Sequence, residues 1–264
     1  MELNGIKLTE EAALQVIREH RQAQYLSLEK VQWEIHSHRK IILKGSKYDL
    51  EDPEQYALHT SLIREIANNI MLKEFTKFEI DEHNSKVLRF LTYYFNESKL
   101  AESVFPDEDY KIHKNILLIG EPGTGKTMLM QIFSEYLKRI GSENHFWNLS
   151  TTQMMNYYKI NNHIDRYTYN EYGSEGKFEG NPFNVCLNDV GLLTENQKNY
   201  GTELSLIMDE FLFARYEIYQ NTYKKYHLTS NLTVTEFMKR FEGRLIDRFK
   251  SFNVIPLTGK SRRK

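Results

Sequence analysis

The chain contains a single cysteine, Cys186, among its 264 residues. One cysteine excludes an intramolecular disulfide and any zinc cluster built on several cysteines. Such usage is typical of a reducing compartment. The opening residues also lack the basic-then-apolar pattern of a secretion signal, and no apolar run approaches the roughly 20 residues that a bilayer-spanning helix needs. We therefore expect a cytoplasmic protein.

Net charge is nearly absent as well, because 35 basic residues are balanced by 36 acidic residues. A protein that binds nucleic acid through its overall charge carries a strong positive field, so that class is excluded. Any nucleic-acid surface must be a local patch. Hydrophobic residues make up 40% of the chain and charged residues 27%, which is ordinary for a soluble globular protein.

Residues 1–82 carry helical periodicity and helix start signals. Thr9 is suited to cap one helix, and Asp52-Pro53 is a second start signal with proline at the first helical position. A third helix is predicted after Asn84. The sequence therefore predicts a small helical N-terminal domain.

From Asn115 onward, short apolar runs alternate with helical periodicity, which indicates a parallel α/β sheet. Helices are predicted over Lys126–Ile140 and, roughly, Thr202–Tyr219. The predicted fold is a five-stranded parallel sheet with helices, in a domain over residues 83–264. The predicted strands are Asn115–Ile119, His145–Leu149, Val185–Asn188, Tyr226–Thr229 and Asn253–Leu257.

A glycine-rich segment follows the first of these strands and matches G-x-x-x-x-G-K-[ST] in full, with a helix after it. Glycines let backbone N–H groups converge on phosphate oxygens, and the helix start adds its positive dipole end. Lys126 supplies a charge to the β- and γ-phosphates, and the Thr127 hydroxyl is suited to ligate Mg²⁺. ATP and Mg²⁺ are the expected cofactors. The expected nucleotide-binding residues are Gly120, Glu121, Pro122, Gly123, Thr124, Gly125, Lys126 and Thr127.

A phosphoryl-transfer site also needs an acidic residue at the end of a neighbouring strand. The segment NVCLNDVG, residues 184–191, is the best candidate, and its strand ends in Asn188-Asp189 where most such enzymes have two acids. Either Asp189 activates water beside a weakened metal partner, Asn188, or Asp189 is itself the metal partner and the activator is missing. Both interpretations predict slow hydrolysis.

Four further segments extend the pattern: KNYGTELSLIMDEFLFARYE, YHLTSNLT, FEGRLIDRF and IPLTGKSRRK. With the glycine-rich loop and LNDVG, they resemble AAA+ ATPases of the helicase-loader type, the DnaC/DnaI group, and the related IstB transposition helper ATPases. The resemblance covers roughly residues 84–264. It implies an AAA+ core, and no C-terminal helical lid is expected, because few residues follow these segments.

The resemblance also implies roles for individual residues. Asn231 corresponds to the polar sensor residue at a strand end, which positions water or touches the γ-phosphate. Arg244 corresponds to the arginine finger that reaches the nucleotide of a neighbouring subunit, which implies a homo-oligomer formed on ATP binding. Arg248 supports the same interface or forms a surface pair. The expected catalytic residues are Asp189, Asn231 and Arg244, and the expected metal-site residues are Thr127, Asn188 and Asp189.

In loaders of this type, the N-terminal region binds the hexameric replicative helicase, so residues 1–82 are expected to bind that partner. The tyrosine-rich segment 154–173 suits single-stranded DNA, because aromatic rings stack on bases and basic groups meet phosphates. The alternative is that its tyrosines pack in the core. The tail 260–264 is a small basic patch that either touches phosphate or lies in solvent. The residues proposed to contact DNA are Tyr157, Tyr158, Lys159, Arg166 and Tyr167.

Four functions remain open on this basis. The favoured one is an ATP-dependent helicase loader that contacts single-stranded DNA during replication. The alternative is a transposition helper that binds duplex DNA and recruits a transposase, but coating a duplex requires many neutralised phosphates and the chain is not basic. A nucleotide or small-molecule kinase would need an acceptor site and an arginine-rich lid, and neither is evident. The fourth is an interaction switch in which ATP binding matters more than hydrolysis.

Overall fold

The structure is a computed structural model that describes residues 2–3, 6–7, 50–72, 76–171, 180–191, 198–199, 202–241 and 247–262. The chain forms two compact units, Met1–Lys47 and Tyr48–Lys264. In the first unit, strand β1 (Glu2–Leu3) pairs antiparallel with β2 (Ile6–Lys7). The helix predicted from Thr9 lies outside the described residues.

The second unit is built on a sheet of five parallel strands in the order β4-β5-β8-β3-β9. The central strands are continuous runs of buried residues, because helices cover both faces of the sheet. A separate two-residue pair, β6 (Lys198–Asn199) with β7 (Thr202–Glu203), precedes the longest helix of the second half. The five strands are β3 (Asn115–Ile119), β4 (Phe146–Ser150), β5 (Asn184–Asn188), β8 (Tyr226–Ser230) and β9 (Phe252–Pro256).

The predicted five-stranded parallel sheet is confirmed. Strand β3 has the bounds that the sequence predicts, and the ends of the other four differ from the prediction by at most one residue. Strand β4 extends to Ser150 because the backbone of Ser150 pairs with Asn188 while its side chain caps the next helix, accepting from Gln153 N. One residue therefore serves two elements, which apolar periodicity does not reveal.

Seven helices accompany the strands in the described part of the second unit. They are α1 (Pro53–Met71), α2 (Ser85–Phe95), α3 (Ala101–Val104), α4 (Lys126–Arg139), α5 (Thr151–Asn161), α6 (Leu204–Thr222) and α7 (Val234–Arg240). No helix among the described residues has both the length and the apolar character that crossing a membrane requires.

Helix α1 packs on α4, so it belongs to the same compact unit as the sheet. It begins as predicted, because the Asp52 carboxylate accepts a hydrogen bond from Glu54 N across 3.0 Å. The buried ring of His59 is hydrogen-bonded to the Tyr136 hydroxyl on α4. The domain boundary that the sequence predicts at residues 82–83 therefore falls inside this unit, which begins at Tyr48.

Arg215 on α6 is fully buried and crosses the amino-terminal side of the sheet. Its Nη2 donates to the carbonyl of Phe183 across 2.6 Å and to that of Lys225 across 3.1 Å. These two residues immediately precede β5 and β8, so the guanidinium ties together the starts of two neighbouring strands. Burial lowers the pKa of Arg215 to about 9. This placement depends on the tertiary positions of two backbone carbonyls, which the local sequence does not reveal.

Candidate functional site

The glycine-rich loop joins the carboxyl end of β3 to the start of α4 at Lys126. Gly123 and Gly125 have φ of 84° and 99°, in the left-handed region that glycine adopts without strain. A Cβ atom on Gly123 would lie 2.2 Å from the hydroxyl of Ser261. Both backbone conformation and space therefore require glycine in this turn.

Lys126 is almost fully buried beneath the loop. Its Nζ donates to the carbonyl of Gly120 across 2.6 Å and to that of Glu121 across 2.8 Å. A third bond runs to Thr124 Oγ1 across 3.4 Å, and an ammonium group has three donors and no acceptor, so a bound phosphate would take the place of one of these partners in the loop. This places a positive charge where the loop and the helix dipole also favour an anion.

A cavity of about 990 Å³ opens beside the loop. Its size is at the upper end for small-molecule and cofactor sites. One wall of the cavity comes from α1 and the segment that follows it. Another wall comes from residues 260–262. The residues that line this cavity include Asp81, His83, Gly123, Gly125, Lys126, Thr127, Asp189, Asn231, Lys260, Ser261 and Arg262.

Asp189 and Asn231 meet at this cavity. They follow β5 and β8, which are neighbours in the sheet, so the carboxyl ends of both strands open at the same edge. The Nδ2 of Asn231 donates to Oδ1 of Asp189 across 3.3 Å, and the backbone N–H of Asp189 donates to Thr229 Oγ1 across 3.1 Å. Asp189 has a positive φ of 62°. The fold therefore brings the loop, an acidic side chain and the predicted sensor residue to one cavity.

The carboxy-terminal segment lies against the loop, which the sequence did not favour. Strand β9 runs parallel to β3, with Pro256 opposite Ile119, so the chain leaves the sheet beside the loop. The N–H of Arg262 donates to the carbonyl of Gly123 across 2.9 Å. The tail residues Lys260, Ser261 and Arg262 thus form part of the cavity wall. This contact follows from the pairing of β9 with β3, and a single sequence does not show which strands are neighbours in the sheet.

Residues 115–197 match the family model of the AAA domain (dynein-related subfamily). The fold is an α/β P-loop fold of the AAA+ type. A comparison with curated proteins gives no match.

Solved structures of two replication initiation proteins resemble the chain. Domain III of DnaA from Thermotoga maritima has a TM-score of 0.45 and 16% identity, over 69% of this chain and 65% of that one. DnaA from Aquifex aeolicus, bound to AMPPCP, has a TM-score of 0.42 and 19% identity, over 68% of this chain and 48% of that one. This chain spans less than two thirds of the length of either.

Asn188 does not line the cavity. Its side chain is buried in the sheet, where Nδ2 donates to Asn148 Oδ1 and to the Leu149 carbonyl, and Oδ1 accepts from Thr229 Oγ1. Thr127 and Asp189, the other two predicted metal-site residues, both line the cavity. The structure therefore brings two of the three together and turns the third into the sheet.

No group of three or more His, Cys, Asp or Glu side chains within the described ranges could hold a metal ion. Mg²⁺ commonly needs only one or two protein ligands together with substrate phosphates and water. The Thr127 hydroxyl and the Asp189 carboxylate suit that role, because both are oxygen ligands and both reach the same cavity.

The predicted finger Arg244 lies outside the described residues. Arg248 is described, and its guanidinium lies over the ring of Phe213 at 4.0 Å and that of Tyr216 at 5.0 Å. Both rings belong to α6, so Arg248 stacks within its own chain. Asp247 pairs with Lys250 instead of with Arg248.

The tyrosine-rich segment divides into a buried part and an exposed part. Tyr158 and Tyr167 belong to the hydrophobic core beneath the sheet, so their rings are not available to stack on bases. Tyr157 is partly buried, with its ring centroid 5.1 Å from that of Tyr167. Lys159 and Arg166 remain exposed. Of the three tyrosines proposed to contact DNA, two pack in the core, and the basic pair Lys159 and Arg166 stays accessible.

Proposed function

We propose that this protein is an ATP-dependent helicase loader, which binds ATP and Mg²⁺, assembles into an oligomer and contacts single-stranded DNA. The observation that carries the proposal is the convergence of the glycine-rich loop, Asp189 and Asn231 on one cavity. The loader assignment rests on the resemblance of these segments, in order and spacing, to the DnaC/DnaI group.

Within the cavity, each side chain has a task that follows from its chemistry. Lys126 and the loop N–H groups bind the β- and γ-phosphates. Thr127 and Asp189 would hold Mg²⁺, which neutralises charge on the phosphate oxygens. Asp189 also orients the attacking water and accepts its proton, and the amide of Asn231 fixes the carboxylate through their 3.3 Å hydrogen bond. One carboxylate thus serves two tasks, so hydrolysis is slow.

Arg244 completes the site from a neighbouring subunit in this proposal. A fixed positive charge supplied in trans stabilises charge that develops on the transferred phosphoryl group. Mixing Arg244→Ala subunits with Lys126→Ala subunits tests it, because some mixed interfaces pair an intact loop with an intact finger. We expect hydrolysis to recover in the mixture when gel filtration shows mixed oligomers. No recovery in such oligomers would contradict a finger that acts in trans.

The second candidate is a transposition helper of the IstB type, which shares the fold and the nucleotide site. Fluorescence anisotropy with labelled single-stranded and duplex DNA distinguishes the two. Titrations would be made with ATP, with ADP and without nucleotide, at two salt concentrations, because phosphate contacts weaken as salt rises. Single-strand binding that requires ATP is the result expected of a loader. An ATP-dependent preference for duplex would favour the transposition helper.

The proposed partner of residues 1–82 is the hexameric replicative helicase. Co-purification of the full chain with the helicase of its own host, in ATP and in ADP, tests this assignment. We expect a complex that depends on nucleotide. A chain that binds duplex DNA and a transposase, and not the helicase, would contradict the loader assignment.

A further inference from the structure

An ion pair fastens the carboxy-terminal segment to the rim of the nucleotide cavity. The Nη2 of Arg262 donates to both carboxylate oxygens of Asp81, across 2.9 and 2.7 Å. The backbone N–H of Arg262 bonds to the Gly123 carbonyl, and a Cβ on Gly125 would lie 3.7 Å from Arg262 Cδ. The side chain of Arg262 therefore passes over the phosphate-binding loop before it reaches Asp81.

Asp81 is itself held in place by the turn that precedes α2. Its Oδ1 accepts hydrogen bonds from His83 N across 3.0 Å and from Asn84 N across 3.2 Å. The side chain of Asn84 closes the same turn, accepting from Asp81 N and donating to the Glu79 carbonyl. Burial alone would raise the pKa of Asp81, but Arg262 and these N–H groups lower it, so the carboxylate stays charged.

The pair uses only part of the guanidinium. Nη2 bonds to Asp81, while Nε and Nη1 have no hydrogen-bond partner within the described part of the chain. These donors stand at a cavity that also presents Lys126 and Lys260. A guanidinium with two neighbouring N–H donors matches the geometry of phosphate oxygens.

We propose that Asp81 is a positioning residue for the nucleotide, because it holds Nη2 of Arg262 and so directs the remaining N–H donors of that guanidinium to the phosphates. This inference rests on the proposed ATP site. It links that site to the segment before α2, since one carboxylate organises both the turn and the arginine. An arginine released from Asp81 would keep its charge but lose its fixed direction over the loop.

ATP titrations of four full-length chains test this role: wild type, Asp81→Asn, Arg262→Ala and the double variant. Arg262→Ala removes charge-assisted hydrogen bonds to phosphate and should weaken ATP binding about tenfold or more. Asp81→Asn keeps the side-chain size and should weaken binding about threefold to tenfold. If Asp81 acts through Arg262, Asp81→Asn has no further effect once Arg262 is alanine. Asp81→Glu should restore part of the affinity.

Asp109→Asn is the matched control, because Asp109 also pairs with cationic side chains, Lys111 and Lys114, but does not line the cavity. It should bind ATP as the wild type does. Tighter ATP binding by Asp81→Asn would show that the carboxylate competes with phosphate, and equal losses in both backgrounds would show a role independent of Arg262. Either outcome overturns the proposal. If the wild type binds ATP and Lys126→Ala does not, the proposed ATP site stands whatever Asp81 does.

Discussion

The hydroxyl of Thr229 donates a hydrogen bond to the side-chain oxygen of Asn188 across 3.1 Å, in the interior of the sheet. On its other side, Asn188 donates to Asn148 and to the backbone of Leu149. Three neighbouring strands, β4, β5 and β8, are thus joined by polar side chains near their carboxyl ends. The side-chain amide of Asn188 therefore donates its hydrogen bonds within the sheet, and it does not line the cavity as a metal ligand would.

Asn188→Asp should therefore destabilise the fold without raising ATP hydrolysis. A carboxylate has no N–H to give to the Leu149 carbonyl, and its second oxygen would face that carbonyl and Asn148 Oδ1, both of which are acceptors. We expect a loss of about 1–3 kcal/mol in the free energy of unfolding, measured by urea denaturation. Asn156→Asp is the control, since Asn156 is exposed on α5. An Asn188→Asp variant that is as stable as the wild type and hydrolyses ATP faster would indicate that the side chain at position 188 contributes to the metal site.

Gly120→Ala should be more damaging than Gly180→Ala, although both glycines have positive φ. A Cβ on Gly120 would lie 2.1 Å from the Leu257 carbonyl oxygen, whereas a Cβ on Gly180 would meet nothing within 4 Å. Both substitutions carry a backbone penalty, at φ of 156° and 66°, but only Gly120→Ala adds an overlap with the carboxy-terminal segment. We expect a difference of about 1–3 kcal/mol in the free energy of unfolding. Equal losses would mean that Leu257 moves away freely.

Stability should fall as the pH drops below the ordinary pKa of histidine. Burial lowers the pKa of His59 to about 4 and that of His227 well below its usual value, so both rings are neutral in the folded chain. The unfolded chain takes up these protons near pH 6.5. The stability that the neutral rings provide is complete above pH 6.5 and is lost as the pH falls towards 4.

Urea denaturation between pH 7 and pH 5 should show this loss in the wild type and a flatter profile in His59→Gln. This window lies above the range in which most carboxylates titrate. His145→Gln is the control, because His145 is exposed. An unchanged pH profile in His59→Gln would contradict a neutral, buried ring at that position.

Lys159→Glu should weaken single-stranded DNA binding and make it less dependent on salt. Lys159 is exposed near the end of α5, next to Ile160, whose side chain is 83% exposed. Loss of one phosphate contact should reduce the salt slope by about 1. Lys138→Glu is the control, since it reverses a charge at an exposed position on α4. Equal effects of the two substitutions would indicate that only net charge matters.

Much of the fold was predictable because the sheet is parallel and covered on both faces. Its strands are short apolar runs such as Asn115–Ile119. They differ clearly from the longer segments between them, in which apolar residues recur with helical periodicity. The cavity was predictable in part for a related reason. Residues that follow neighbouring parallel strands lie at the same edge of the sheet. Asp189 and Asn231 are such residues, and their side chains are hydrogen-bonded there.

The remaining features depend on contacts between distant residues, which periodicity does not encode. The direction of the Asn188 side chain depends on donors and acceptors on β4 and β8. The position of Arg262 depends on β9 pairing with β3, and on a carboxylate 181 residues earlier. The packing of α1 on the sheet unit depends on α4. In each case tertiary structure decides among local alternatives that the residues alone leave open.

Binding of ATP by the glycine-rich loop is tested by calorimetric titration of ATP into wild type and Lys126→Ala. Lys138→Ala is the matched control, and thermal unfolding of each chain confirms that it is folded. We expect wild type and Lys138→Ala to bind ATP alike and Lys126→Ala to lose binding, because the buried ammonium is the positive side chain fixed beneath the loop. A folded Lys126→Ala chain with unchanged affinity for ATP would contradict the account.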